Sequence, residues 1–103
     1  MTMPTVHRHY RDVHEIKQAN RAAGYHFFEP STMRFFRSRV GDTVYGGRYF
    51  VTSEQFDWSS PRLYTVRVAN DDRTIDDVGG FQAYPTHTAA VRAIRRLIAQ
   101  GAN

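Results

Sequence analysis

The residues of this sequence best suited to binding a ligand are arginines that share a strand face with an aromatic ring. Alternate residues of an extended strand share a face, so Arg48 and Phe50 lie together on one strand. On the next strand we expect Tyr64 to face the core and Arg67 to face outward. Cations beside an aromatic ring can contact phosphates and stack on bases. With the arginines just upstream, the predicted nucleic-acid-binding residues of this face are Arg34, Arg37, Arg39, Arg48, Phe50 and Arg67.

The last predicted helix carries a second set of cations, Arg92, Arg95 and Arg96, on its polar side. Side chains three and four residues apart converge on a helix, which suits a row of phosphates. The solvent side of an ordinary amphipathic helix has the same pattern, and the helix dipole favours cations near the C-terminus. For this helix, as for the arginines of the strands, a purely solvated surface is therefore the alternative.

Histidines near the N-terminus are candidate metal ligands, because His7, His9 and His14 lie close together. Zinc and nickel accept imidazole ligands. The chain has no cysteine, however, and we expect His7 and His9 to lie on an arm that preorganises no site. No metal site and no cofactor is predicted.

Residue types used by RNA-cleaving toxins are also present, among them His26, Glu29, Arg34 and Tyr45. RNA cleavage needs a general base and a clamp on the phosphate. The spacing of these residues defines no site, and the sequence has neither a phosphate-binding glycine loop nor a nucleophile elbow. We therefore predict no catalytic residue and a non-enzymatic binding protein.

Aromatic residues are concentrated between positions 25 and 58, in a number that a small domain does not bury easily. We expect Phe27, Phe35 and Phe36 in the core and Trp58 partly exposed in a loop. Trp, Tyr and Arg contribute most to the binding energy of protein interfaces. The predicted interface for another protein, or for a second copy in a homodimer, comprises Tyr45, Phe56 and Trp58.

The length and the charge distribution limit the classes of protein that fit the sequence. A chain of 103 residues with 41% hydrophobic residues fits one small folded domain. Eight basic and four acidic residues fall in positions 1–50, so the net charge of +4 belongs to this half. The absence of cysteine excludes disulfides and thiolate chemistry. Neither a membrane-spanning run nor the apolar core of a signal peptide is present, which predicts a cytoplasmic protein.

Helix and turn signals place these residues in an α+β domain. Asp12 and Gly24 delimit a first helix, and Thr86 and Gly101 delimit the last one. Between them lie a short helix near 31–36, a hairpin closed by Gly46-Gly47, and β-rich runs at 43–45, 48–53, 62–69, 74–78 and 81–84. The predicted fold is a three- to four-stranded antiparallel sheet with an N-terminal and a C-terminal helix packed on one face, in the order α-β-β-β-α. Residues 1–11 are predicted to form a flexible arm and residues 12–101 the single domain.

Three segments resemble a known family: 24–40 (GYHFFEPSTMRFFRSRV), 44–54 (VYGGRYFVTSE) and 64–67 (YTVR). They are similar to small proteins of unknown function encoded by actinobacterial phages, and the similarity covers about residues 12–100. The resemblance implies a phage-type protein that acts in the cytoplasm of a bacterial host, whose GC-rich genome accounts for the preference for arginine over lysine. It carries over no catalytic or binding residue.

The sequence therefore favours a phage-type binding protein that contacts nucleic acid, either DNA or RNA, through its arginines. The alternative is a binder or inhibitor of a host or phage protein, such as a defence or regulatory complex, through an aromatic and arginine surface. Arginines that converge on one face favour nucleic acid. An exposed aromatic patch, with the arginines paired to acidic residues, favours a protein partner; the candidate acids are Asp42, Glu54, Asp71 and Asp72.

Overall fold

The chain forms an antiparallel sheet flanked by helices in a computed structural model, which describes residues 9–101. Within this range there are three helices and four strands. In chain order they are α1 (Val13–Ala22), α2 (Pro30–Phe35), β1 (Arg39–Val40), β2 (Tyr49–Glu54), β3 (Leu63–Ala69), β4 (Ile75–Val78) and α3 (His87–Ala99). The predicted α+β class, with an antiparallel sheet between an N-terminal and a C-terminal helix, is confirmed.

The strands lie in the sheet in their order along the chain, each antiparallel to the next. Two predicted β-rich runs, 43–45 and 81–84, shrink to single bridges, Tyr45 with Tyr49 and Tyr64 with Tyr84. The turn between the two residues of the first bridge contains Gly46 and Gly47, with φ angles of 59° and 78°, which glycine adopts without strain. The edge strand beside β2 is instead the two-residue β1.

Both long helices begin at the predicted capping residues. The Asp12 carboxylate accepts a hydrogen bond of 2.9 Å from the Glu15 backbone N–H, and the Glu15 carboxylate accepts one of 2.6 Å from the Arg11 backbone N–H. At the start of α3 the Thr86 hydroxyl accepts a hydrogen bond of 3.1 Å from the Ala89 N–H. These caps satisfy backbone donors that a helix N-terminus otherwise leaves without a partner.

The helices cover opposite faces of the sheet, which differs from the predicted packing on one face. α3 packs on the face that carries Tyr49 and Val51. α1 packs together with Phe28 on the face that carries Phe50 and Ala69. The physical reason lies in β2, whose six residues are all buried, because such a strand needs a cover on both faces.

The part of the predicted arm that the structure describes is anchored to the domain. Tyr10 is buried in the core beneath α1, and its backbone N–H donates to the Gly47 carbonyl at 2.7 Å. The His9 imidazole occupies the space that a side chain at Gly47 would need. Residues 9 and 10 therefore belong to the folded domain, whereas residues 1–8, including His7, lie outside the described residues.

The two-sided core predicts that substitutions on opposite faces act independently. Ile16 and Ile94 lie in separate clusters and are at most 1% exposed. We expect Ile16→Val and Ile94→Val each to lower the free energy of unfolding by about 0.5–1.5 kcal/mol. In the double variant the two effects should add to within about 0.5 kcal/mol. Urea denaturation measures this, and a coupling above about 1 kcal/mol would mean that the helices share one core.

Candidate functional site

The predicted nucleic-acid face of the sheet is closed, and three of its residues are buried or paired within the protein. Phe50 is fully buried in the core beneath α1. Arg48 forms an ion pair of 2.6 Å with Asp71, and Arg67 forms one of 3.2 Å with Glu54. The prediction of an open arginine face is therefore wrong, because α1 and the segment that follows it cover this side of β2.

Arg67 and Glu54 lie at the centre of a buried polar network, with side chains 12% and 2% exposed. Arg67 Nε donates to Thr52 Oγ1 at 3.0 Å, and Thr65 Oγ1 donates to Glu54 Oε1 at 2.8 Å. Gln82 joins through its backbone N–H, which donates to Thr65 Oγ1 at 2.8 Å, and through Nε2, which donates to the Glu54 carbonyl at 3.1 Å. The network satisfies the buried charges and ties the segment after β4 to the end of β2.

Two aromatic rings flank the Arg67 guanidinium. Its Cζ lies 5.2 Å from the ring centroid of Phe27 and 5.6 Å from that of Phe81. Cation–π contacts of this kind strengthen where the cation is removed from water. Phe81 is 44% exposed, so its ring borders both the buried network and the surface.

Exposed aromatic side chains gather at the end of the sheet where β2 stops. Phe35, Phe56 and Trp58 are 80%, 86% and 80% exposed, and Phe36 and Phe81 are 42% and 44% exposed. The ring centroids of Phe35 and Phe36 lie 4.7 Å apart, and those of Phe36 and Phe81 lie 5.5 Å apart. We call these five residues the aromatic surface.

The exposure of Phe35 and Phe36 contradicts their predicted place in the core, whereas Phe27 packs against the core and Trp58 is exposed as predicted. The cause is the shortness of α2, which has six residues and buries none of them. The chain leaves the helix at Arg37, whose left-handed φ of 50° ends the helical conformation.

Trp58 is held in place although it is exposed. The Arg37 guanidinium lies 4.5 Å from the Trp58 ring centroid. The preceding carboxylate, Asp57, accepts hydrogen bonds of 2.8–2.9 Å from the backbone N–H and the hydroxyl of both Ser59 and Ser60. The two serine hydroxyls are the main cause that holds the pKa of Asp57 below its ordinary value. The loop between β2 and β3 is therefore ordered by its own turn.

Left-handed backbone occurs at two non-glycine residues beside the aromatic surface, Arg37 (φ 50°) and Gln82 (φ 56°). Arg62 Nη1 donates to the carbonyls of Arg37 and Ser53 at 3.0 and 3.1 Å. Burial lowers the pKa of the Arg62 guanidinium, and the nearby charge of Arg39 lowers it further. A left-handed φ at a non-glycine residue costs about 1–3 kcal/mol. Residues with this backbone conformation cluster at functional sites, where surrounding contacts maintain them.

The other predicted arginines are exposed at separate places. Arg34 precedes Phe35 on α2, whereas Arg39 on β1 lies on the sheet face that α3 covers, beside Tyr64 and His87. α3, on the opposite face of the sheet from Arg67, carries the remaining three, which are Arg92, Arg95 and Arg96. The predicted arginines therefore do not converge on one face.

The structure places Phe56 and Trp58 in one exposed loop after β2 and places Tyr45, the third predicted interface residue, elsewhere. Tyr45 bridges to Tyr49 at the start of β2 and packs against the core beneath α3. Phe56 and Trp58 lie beyond Glu54, at the other end of that strand.

The residues considered for metal binding and RNA cleavage are dispersed in the part of the chain that the structure describes. Residues 9–101 contain no group of three His, Cys, Asp or Glu side chains positioned to hold a metal ion. His26 and Tyr45 line different cavities. Glu29 pairs with Arg21 at 3.5 Å instead of facing either residue.

A family model described as a family of unknown function, DUF7447, matches residues 12–95. The chain belongs to this family. The part that matches the DUF7447 model includes the whole aromatic surface and the whole buried polar network. No curated protein and no solved structure matches the chain. Within residues 9–101 of this DUF7447 protein, no helix has the length and apolar character needed to cross a membrane.

The buried pair predicts a large difference between single and double substitutions in this DUF7447 protein. Glu54→Ala or Arg67→Ala leaves the other charge buried without its partner, which should lower the free energy of unfolding by about 3–5 kcal/mol. Glu54→Leu/Arg67→Met removes both charges and keeps apolar volume, so we expect it to be more stable than either single variant. Urea denaturation measures all three, with Arg96→Ala as a control within about 0.5 kcal/mol of wild type. A Glu54→Ala variant as stable as wild type would contradict the role of the pair.

The lowered pKa of Asp57 predicts that the order of its loop depends on pH. The contribution of the carboxylate is complete above the ordinary value of 3.8 and is lost as the pH falls through the lower folded pKa. Trp58 is the single tryptophan, so its fluorescence anisotropy reports on this loop. We expect the anisotropy to fall below pH 3.8 in wild type and to be low at every pH in Asp57→Ala. Far-UV circular dichroism controls for global unfolding, and an Asp57→Ala protein with wild-type anisotropy at neutral pH would refute the prediction.

Proposed function

We propose that this DUF7447 protein is a non-enzymatic binding module that recognises another protein through the aromatic surface. The observation that supports this most is the exposure of five large aromatic side chains at one end of the sheet. A contiguous exposed apolar patch is typical of a protein-interaction site. Trp58 and its neighbour Arg37 are residue types that contribute most to binding energy at protein interfaces.

The charges around the surface favour a partner with an apolar centre and an acidic rim. Arg37 lies over the Trp58 ring and Arg34 precedes Phe35, and neither arginine forms an ion pair with an acidic residue of the described range. Asp57, the acidic residue next to Trp58, has its carboxylate engaged by serines. Cations at the rim of an interface speed association with a negatively charged partner.

Contacts within the domain keep this surface in one conformation before any partner arrives. The Phe36 carbonyl accepts a hydrogen bond of 3.2 Å from the Gln55 N–H, which joins α2 to the loop that carries Trp58. Arg37 lies over the Trp58 ring, and Arg67 lies beside Phe81. A preorganised surface loses less conformational entropy on binding, which favours affinity.

Nucleic-acid binding is the second candidate, and the exposed arginines of α2, β1 and α3 favour it. Two observations weaken it. Arg48 and Arg67 are paired with acidic residues. The rings of Phe35, Phe36 and Phe81 pack at interplanar angles of 76° and 65°, whereas successive bases stack on ring faces that are free and accessible. A protein partner therefore fits the geometry better.

We place this activity in the cytoplasm of a bacterial host, on the basis of the resemblance to actinobacterial phage proteins. The partner is then a host protein, for example of a defence or regulatory complex, or another phage protein. A second copy of the chain is the alternative occupant of the same surface.

Photocrosslinking from the aromatic surface tests the proposal. p-Benzoylphenylalanine replaces Phe35 or Phe56, both highly exposed, and in a control protein it replaces Gln18, an exposed residue of α1. Each protein is irradiated in an actinobacterial cell extract. We expect one adduct of the same mass from positions 35 and 56 and none from position 18. Excess unlabelled wild type should abolish the adduct, whereas Trp58→Ala should compete about thirtyfold less well, because it lacks a hot-spot side chain.

The outcomes separate the candidates. Competition by Trp58→Ala that equals competition by wild type would contradict recognition through this surface. An adduct with twice the mass of the chain would assign the surface to a homodimer. Titration with single-stranded DNA and RNA at two salt concentrations tests the second candidate, since phosphate contacts predict an affinity that falls steeply with salt.

A further inference from the structure

A cleft beside α3 gathers cationic and hydroxyl groups that the aromatic surface does not use. It has a volume of about 300 Å³ and is lined by Tyr45, His87, Thr88, Val91, Arg92 and Arg95, which we call the basic cleft. The cleft lies between α3 and the turn before β2, on the face of the sheet opposite the buried polar network.

α3 carries a positive charge that a bound anion would neutralise. The helix contains three arginines and no acidic residue. Arg92 and Arg95 lie three residues apart, a spacing at which like charges repel each other. Within residues 9–101, neither guanidinium forms an ion pair with a carboxylate. The cleft therefore presents two cations that no described acidic side chain neutralises.

The walls of the cleft are held by the fold. Tyr45 exchanges backbone hydrogen bonds of 2.7 and 3.0 Å with Tyr49, so the turn before β2 has a fixed position. The His87 ring meets the Tyr64 ring edge-on, with centroids 6.1 Å apart. Val91 is half-buried beside the core and provides an apolar surface in the cleft.

We propose that the basic cleft binds a phosphate monoester on an organic group about as large as a nucleoside. A guanidinium group can donate two parallel hydrogen bonds to phosphate oxygens. The hydroxyls of Thr88 and Tyr45 can donate further hydrogen bonds to the phosphate. The Tyr45 ring and Val91 supply apolar contact for the organic group. A volume of about 300 Å³ is at the lower limit for ligand pockets and fits one nucleotide. A free nucleotide and the 5′-phosphorylated end of an oligonucleotide offer the same chemistry.

A titration followed by ¹H–¹⁵N nuclear magnetic resonance tests the proposal. The probes are inorganic phosphate, adenosine 5′-monophosphate and, as the uncharged control, adenosine. We expect saturable shifts with the first two probes at the amides of Tyr45 and of residues 87–95. Arg92→Ala and Arg95→Ala should each weaken the binding of adenosine 5′-monophosphate by about tenfold or more, because each removes charge-assisted hydrogen bonds.

Arg96→Ala is the matched control, since it removes the same charge from the same helix outside the cleft. It should change the affinity by less than about twofold. Equal losses of affinity in Arg96→Ala and Arg95→Ala would mean that the helix attracts anions through its overall charge, and would overturn the proposal. The absence of a saturable shift would also overturn it, as would adenosine that binds as tightly as adenosine 5′-monophosphate. The Trp58→Ala variant should bind the nucleotide like wild type, so a failure here is separate from a failure of protein recognition.

A last comparison distinguishes the two sources of the phosphate. Stronger binding of a 5′-phosphorylated oligonucleotide than of adenosine 5′-monophosphate would assign the cleft to a nucleic-acid end, and the reverse order would assign it to a free nucleotide. A 5′-hydroxyl oligonucleotide that binds as well as its phosphorylated form would refute recognition of a monoester.

Discussion

The burial of one ion pair, Arg67 with Glu54, constrains the rest of the molecule. Two charges removed from water need hydrogen bonds from their surroundings, because a buried charge without a partner costs about 3–5 kcal/mol. Gln82 contributes to the network from the segment after β4, and Phe27 and Phe81 enclose the guanidinium. The segments before β1 and after β4 must therefore lie against the same end of the sheet. That requirement brings the rings of Phe36 and Phe81 together.

The same pair changes how the charge of the chain is to be understood. A net charge of +4 in a chain of 103 residues suggests a positive face, yet Arg48 and Arg67 are neutralised within the fold. What remains at the surface is divided between the arginines that border the aromatic surface and those of the basic cleft beside α3. The two faces of the sheet thus offer different chemistry, apolar and aromatic at the end of β2 and cationic beside α3.

Local signals predicted much of the fold, and long-range pairing decided the rest. Asp12 and Thr86 cap their helices as predicted, because a cap depends on residues a few positions away. Phe50 shares a strand face with Arg48 and Thr52, and this pattern indicated an exposed face. Only the register of β2 with β3 places Arg67 where it donates to Thr52 and Glu54, which closes that face. The signal that could have revealed the pair was Glu54, an acidic residue at the end of β2 that shares its strand face with Phe50, the register partner of Arg67.

For the candidate site as well, the sequence predicted some residues correctly and placed others wrongly. Trp58 is flanked by turn-forming residues, and its exposure follows from that local pattern. The apolar side chains of α2 indicated core positions, but the helix ends before it reaches the core. The sheet face beneath α1 is closed around Arg67, and the nuclear magnetic resonance signal of the Arg67 Nε–H reports on this closure. We predict slow exchange of this proton with water and contacts to the rings of Phe27 and Phe81. Rapid exchange without ring contacts, as expected for the exposed Arg96, would show instead that the face is open to water.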